Sequence, residues 1–289
     1  MSQMKKILYL GLSFLLVAGL LIWLAVFEQQ SANLLEVYFL NVGQGDSIFI
    51  KTPAGRQVLI DGGPDKTVLA ELNRVIPFYD RTIDLVILTH PDADHLTGLI
   101  EVLNYYQIDS ILSSGFQKET AVYRKWRQII SQKDIHLVLA QAGQRVIFPS
   151  GPVLEILWPE RPLIDSLTRK ANNASVVGRL VYEQAEILLT GDVEKEVEQY
   201  LVNQRPRTEL ESDILKVAHH GSKTSSGQGF LEAVSPQAAV ISVGRENRYG
   251  HPASAVLERL KNIFVYRTDQ DGRVQVSTDG RQFRIETAR

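Results

Sequence analysis

The sequence predicts an α/β fold, α+β in its segregation of meanders from helices, on three observations. Short β-rich runs at 37–40, 47–50 and 57–60, the last two joined through Thr52, Pro53, Ala54, Gly55 and Arg56, read as an antiparallel meander. Val68, Leu69, Leu72, Val75 and Ile76 then recur at helical spacing within 66–78, ahead of an apolar strand at 85–88. The second half repeats the logic, with strands expected at 153–157, 176–182, 187–189, 214–217 and 239–243 and helices at 193–203 and 253–261. Between the halves a helix is expected over 119–132, its Val122, Tyr123, Trp126, Ile129 and Ile130 on one packed face. The basic run Arg124, Lys125 and Arg127 beside Trp126 reads as a solvated face, suited to a single strand only if it lines a cleft. The tail offers strands at 264–266, 273–276 and 282–285, with Asp271-Gly272 and Asp279-Gly280 as hairpin turns. No low-complexity linker or short repeat divides the region, so 33–289 is expected to be one domain.

With 289 residues, 44% of them hydrophobic, the chain is long enough for a sizeable core. Its formal net charge of −2 gives no global field that would draw in duplex nucleic acid. It has no cysteine, so disulfides and thiolate ligands are both excluded. Any metal must be held by imidazole and carboxylate.

Residues 1–32 read differently. Lys5 and Lys6 precede an uninterrupted apolar stretch over 7–27, ending at Glu28. Such a length spans ~30 Å of hydrocarbon as a helix. It is longer than a signal-peptide core and lacks a clean cleavage site, so an uncleaved single-pass anchor is expected ahead of a cleaved, secreted form. The lysines before it put the N-terminus inside and the remainder of the chain outside the cytoplasm.

The chemistry concentrates in three places. His90, Asp92, Asp94 and His95 fall within six residues, directly after the apolar strand 85–88. No fold needs four such groups at the mouth of a buried strand. His90 and Asp92 can share one ion while Asp94 and His95 bind a neighbour. Asp192 follows another buried strand and Gly191, which lets the backbone turn sharply, so its carboxylate can bridge both ions. His219 and His220 follow a third apolar strand; one completes the second ion's shell, and the other contacts substrate or protonates a leaving group. Two divalent ions, Zn2+ or Mn2+, are the expected cofactors. His136 stands apart from every cluster and is expected to be structural.

These pieces resemble the metallo-β-lactamase superfamily, and within it the extracytoplasmic hydrolase domain of the ComEC competence family. The matching motifs are 41–47 (Asn-Val-Gly-Gln-Gly-Asp-Ser), 59–63 (Leu-Ile-Asp-Gly-Gly), 89–95, Asn172 to Ser175, 189–192, Lys216 to Ser226 and 247–252, in family order. The resemblance implies a four-layer αββα sandwich with the metals at one edge. It departs from the superfamily's commoner H-x-H-x-D-H loop, because Asp92 stands at the second histidine, as in the ComEC-like branch. The usual separate histidine before the bridging aspartate is also missing, and Asn172 and Asn173 occupy that stretch. The first ion's site is therefore expected to be oxygen-rich and weaker.

Asp94, His220, His251 and Asn173 are the candidate catalytic residues, and Lys223, Ser222, Asn172 and Arg248 the candidate substrate-binding ones, with Arg245 nearby. Asp61 is expected to orient a ligand histidine, and Asp46, in the Gly43-Gln44-Gly45 loop, to support the centre. The resemblance implies a membrane-anchored phosphodiesterase or nuclease acting on DNA, possible single strands included, in a competence role. The chain lacks the many spans of a DNA channel, so it is not expected to be the translocator. The rivals are a phosphorylcholine esterase or other cell-wall phosphodiester hydrolase, an amide or thioester hydrolase, and a non-catalytic surface binding module.

Overall fold

The computed structural model describes residues 3–31, 34–163 and 165–289, so the expected boundary at 32/33 lies outside the described residues. Fifteen strands are described: β1 (Leu35–Phe39), β2 (Ile48–Lys51), β3 (Gln57–Ile60), β4 (Thr82–Leu88), β5 (Gln107–Ser113), β6 (His136–Leu139), β7 (Arg145–Ile147) and β8 (Val153–Trp158) in the first half. The second half holds β9 (Val177–Tyr182), β10 (Ala185–Leu189), β11 (Ile214–Lys216), β12 (Ala238–Ile241), β13 (Phe264–Arg267), β14 (Val274–Thr278) and β15 (Phe283–Thr287). They form two sheets, in the orders β15-β14-β1-β2-β3-β4-β5-β6 and β13-β12-β11-β10-β9-β8-β7.

The helices are α1 (Gln3–Ser31), α2 (Thr67–Leu72), α3 (Ala93–Tyr105), α4 (Ala121–Lys133), α5 (Asp165–Thr168), α6 (Lys195–Gln204), α7 (Arg207–Leu210), α8 (Gln228–Val234), α9 (Ser254–Arg259) and α10 (Thr268–Asp271). Three cores make the layers. Val37 and Phe39 of β1 and Leu85 and Ile87 of β4 face Ile187, Leu189 and Val240 between the sheets. Their neighbours Tyr38, Val86 and Leu88 point to the opposite side, where Leu72, Leu96, Leu99 and Trp126 of the helices cover them. On the second sheet Leu188 and Leu215 meet Val197, Leu201, Phe230 and Val256. In central strands such as β4 and β10 the period-two alternation thus sends successive side chains into one core or another, which is why these runs read as continuously apolar. The result is the expected αββα sandwich.

Three differences from expectation have physical causes. The helix expected over 66–78 stops at Leu72, because Asn73 caps it and Pro77 follows. Helix α3 and strands β5 to β7 were not expected; Leu96, Leu99 and Leu103 carry the helical spacing of α3, but its first turn coincides with the histidine and aspartate cluster. Asp279-Gly280 does join an antiparallel pair, β14 with β15, whereas Asp271-Gly272 does not. It separates β13, parallel to β12 in one sheet, from β14, paired with β1 in the other. Trp126, by contrast, packs in the core at 2% exposure beside Ile129 and Ile130, as its place on the packed helical face predicts.

Among the described residues, no helix is long and apolar enough to cross a membrane. The backbone of α1 is helical over Gln3–Ser31, but the side chains at 3, 4, 7, 8 and 24–31 are outside the described set. Among the described residues, α1 contributes none to the three cores.

Candidate metal centre

The site lies where strand ends meet. The run from β4 into α3 brings His90, Asp94 and His95; the turn after β10 brings Asp192; the segment after β11 brings His220; and the β1–β2 loop brings Asp46. The turns that achieve this tolerate little else. Gly45 has φ +143°, and a Cβ there would sit 2.1 Å from the Asp94 carbonyl oxygen. Gly191 has φ +52° against Ser175, as its expected sharp turn requires. His219 and His220 both adopt left-handed φ, at 51° and 54°, a strained pair for residues with a side chain.

Asp192 is the hub. Its Oδ2 lies 3.3 Å from His95 Nε2 and 3.2 Å from His220 Nε2. Asp94 Oδ2 closes the ring, 3.4 Å from His220 Nε2 and 4.0 Å from His95 Nε2. Each imidazole is tied on its far side: His95 Nδ1 donates to Asp61 Oδ2 at 2.8 Å, and His220 Nδ1 to the Ser242 carbonyl at 2.9 Å. In the neutral ring, that tautomer leaves each Nε2 facing the carboxylates as an acceptor. The Nε2 atoms of His90, His95 and His220 are buried with no hydrogen-bond partner. Buried nitrogens converging on carboxylates without hydrogen bonds are what a cation site presents. His90, His95 and Asp192 form one group of possible ligands, and Asp94, His95 and His220 a second.

Two further groups have other partners among them. Asp46, Asp192 and His220 converge, but the fully buried Lys216 Nζ sits among them, paired with Asp46, 3.4 Å from Asp192 Oδ1 and donating to the Gly191 carbonyl at 2.8 Å. Asp61, grouped with Asp46 and His95, also accepts from the Thr89 amide at 2.9 Å and the Thr89 hydroxyl at 2.6 Å, which fixes the carboxylate that faces His95 Nδ1.

The electrostatics follow from burial and neighbours. Burial disfavours the charged His95 ring, but Asp192, Asp61 and Asp94 outweigh it and hold its pKa well above the ordinary value. His220 is raised in the same way, burial being overcome by Asp192 and Asp46. Burial opposes the charge on Asp192 too, yet His220, His95 and Lys216 keep it well below the usual carboxylate range. Without metal, protons therefore sit where a cation would, and metal binding must release them. His90 goes the other way: burial, then the charge on His95, lowers it to about 3.

This sets a pH signature. A lowered histidine pKa gives stability that is full above the unfolded value near 6.5 and lost as pH falls toward about 3. In EDTA, the melting-temperature difference between wild type and His90→Gln is expected to shift against the wild type from pH 7 to pH 4. A difference that holds constant across that range, read by calorimetry, contradicts the assignment.

The other expected residues are placed as follows. Asp92 is in none of the ligand groups; Lys118 donates to its Oδ1 at 2.8 Å. His219 faces Asn172, whose Nδ2 is 3.2 Å from Nε2, and its ring lies 5.6 Å from that of His251. The ring of His251 is 6.5 Å from that of His220. Burial, then His219 and His220, lowers His251 to about 4, so it is neutral at pH 7. Asn173 is used structurally: its Oδ1 accepts the Glu194 amide at 2.8 Å and its carbonyl accepts Trp158 Nε1 at 2.7 Å. Ser222 is buried and bonded to Thr224 at 3.0 Å, while Lys223 and Arg248 are exposed. His136 is exposed on β6, away from the centre.

Lys216 and Ser175 were not singled out as site residues from the sequence. Ser175 Oγ lies 3.1 Å from His90 Nδ1 and accepts the Asp192 amide at 3.1 Å, linking two ligand candidates. Both stand within the quoted motifs, but a lysine inside an apolar strand and a serine after two asparagines signal nothing until their partners are placed.

Fold and site together define a member of the metallo-β-lactamase superfamily: the sequence profile described as "Metallo-beta-lactamase superfamily" matches residues 40–245, and the chain belongs to it. Among individual relatives it is 34% identical over 260 residues to ComE operon protein 3 of Bacillus subtilis, covering 83% of this chain and 32% of that protein. It is also 34% identical over 243 residues to competence protein ComA of Neisseria gonorrhoeae, covering 81% of this chain and 31% of that protein. The expected resemblance to ComEC-type competence proteins is thus found, although the chain spans only about a third of their length. Among solved structures it shares its fold with YhfI of Bacillus subtilis (TM-score 0.53, 11% identity, 81% of this chain and 96% of that one). Igni18 of Ignicoccus hospitalis, a metallo hydrolase, matches with TM-score 0.52 and 13% identity over 83% of this chain and 98% of that one.

Proposed function

We propose that the protein is a metal-dependent phosphodiesterase that cuts DNA, using two divalent ions, Zn2+ or Mn2+. The observation that carries it is the convergence of Asp94, His95 and His220 on Asp192, with the imidazole Nε2 atoms buried and unpartnered. These four residues would hold one ion, and His90 with Asp192 would hold part of the second. When bound, such ions make water a nucleophile at neutral pH and offset charge on a phosphoryl oxygen. Around them Asp61 fixes the His95 ring and Lys216 fixes Asp46 and Asp192. His251, neutral at pH 7, offers the substrate a hydrogen-bonding ring rather than a charge. Similarity to competence proteins favours DNA over the other phosphodiesters.

The full chain, loaded with Mn2+ or Zn2+, is expected to cleave single-stranded DNA in preference to a phosphorylcholine ester, a thioester and a β-lactam, with cleavage abolished in His95→Gln. Turnover of the thioester or β-lactam alone would replace this function with the rival one.

Membrane attachment through 1–32, with the domain outside the cytoplasm, belongs to the same proposal. Its support is the charge-free run 7–27 and the exposure of Leu10, Phe14, Leu15 and Leu16 along α1. Carbonate-washed membranes are expected to retain the full chain and release a chain lacking 1–32. Equal recovery of both in the supernatant contradicts attachment.

A further inference from the structure

We propose, on the basis of the nuclease reading, that Tyr249 is a stacking platform for an unpaired nucleobase, so that the site takes single-stranded rather than duplex nucleic acid. A cleft of about 340 Å³ runs from Asp94 of the metal centre to Tyr249, lined also by Gln44, Pro64, Asn247 and Arg248. Tyr249 is 58% exposed. One face of its ring is backed by His251, stacked at 5.7 Å with 24° between planes, and the Arg248 guanidinium carbon is 5.6 Å from its centroid. His251 in turn stacks toward His220 with 29° between planes, so the tyrosine is two ring-to-ring steps from the metal-facing histidine.

The loop that presents this ring is braced. Asn247 Nδ2 donates to the Gly244 and His251 carbonyls at 2.9 and 2.8 Å, and its Oδ1 accepts the His251 amide at 2.9 Å. The Gly244 amide donates to Gln44 Oε1 at 3.2 Å, anchoring the loop to the β1–β2 turn beside Asp46. A held, exposed aromatic beside an arginine binds any base through its π-face, whatever the sequence. In a duplex that face is covered by neighbouring base pairs, and reaching it requires unstacking. A nucleotide whose base lies on Tyr249 can then run along the cleft that leads to Asp94.

The test uses the full chain in mild detergent at fixed salt, with fluorescent single-stranded and duplex oligonucleotides, measuring anisotropy in EDTA and cleavage with Mn2+. Tyr249→Ala is expected to weaken single-strand binding and raise KM by about tenfold, with Tyr249→Trp restoring both. A single strand abasic at the cut position should bind wild type and Tyr249→Ala alike. Wild-type protein that cuts DNA while Tyr249→Ala binds single strands as wild type does, or while duplex binds as tightly as single strand, overturns the platform alone. Wild-type protein that neither binds nor cuts DNA overturns the nuclease reading and the platform with it.

Discussion

Asp192→Asn is expected to lower metal affinity by at least about 100-fold and to abolish hydrolysis, while leaving the domain folded. Asparagine keeps the volume of the side chain and one acceptor oxygen, so the turn after β10 is retained. What it removes is the charge on which His95 and His220 converge at 3.3 and 3.2 Å. Changing a group that merely orients a ligand typically costs 10- to 100-fold in metal affinity, so losing the shared donor itself should cost at least the upper figure. The same substitution removes the leading opposing charge that raises both imidazoles, so proton release on metal addition should shrink as well. Calorimetric titration in buffers of different ionisation enthalpy reads affinity and protons together. Unchanged affinity would remove Asp192 from the centre.

Lys216→Met should be the most destabilising single change in the metal-free protein. The ammonium is fully buried and is the fixed positive charge between Asp46 and Asp192. Burial disfavours its charge, but Asp46 and Asp192 raise its pKa, so it stays protonated across the physiological range. Removing one partner of a buried ion pair leaves an uncompensated charge and costs about 3–5 kcal/mol. In a domain of this size that is roughly a 10 °C fall in melting temperature. Adding Asp46→Asn removes one of the stranded carboxylates and should recover part of the loss. A single variant that melts with the wild type in EDTA would show that the pair contributes nothing.

Much of this architecture was legible because the chemistry sits at the ends of apolar strands. Leu85 to Leu88 and Leu188 with Leu189 alternate between two cores, so both read as buried, and the polar residues that follow them stand out. The sandwich order itself came from family resemblance, since periodicity alone assigns no sheet. It was periodicity across a turn that misled at Asp271-Gly272, where adjacent strands belong to different sheets. Asp92 shows another limit: spacing suggests a ligand, but its carboxylate is turned toward Lys118, which is 26 residues away in sequence. Lys216 shows the converse, a residue with no local signal whose importance lies in carboxylates contributed by distant turns.

The most direct test of the metal-dependent phosphodiesterase is cleavage of a labelled single-stranded oligonucleotide plotted against bound Mn2+, measured in parallel for the full chain and Asp192→Asn. The rate should rise with occupancy in the wild type and stay at background in the variant. A rate in the wild type that is independent of bound metal, or equal cleavage by the variant, would contradict it.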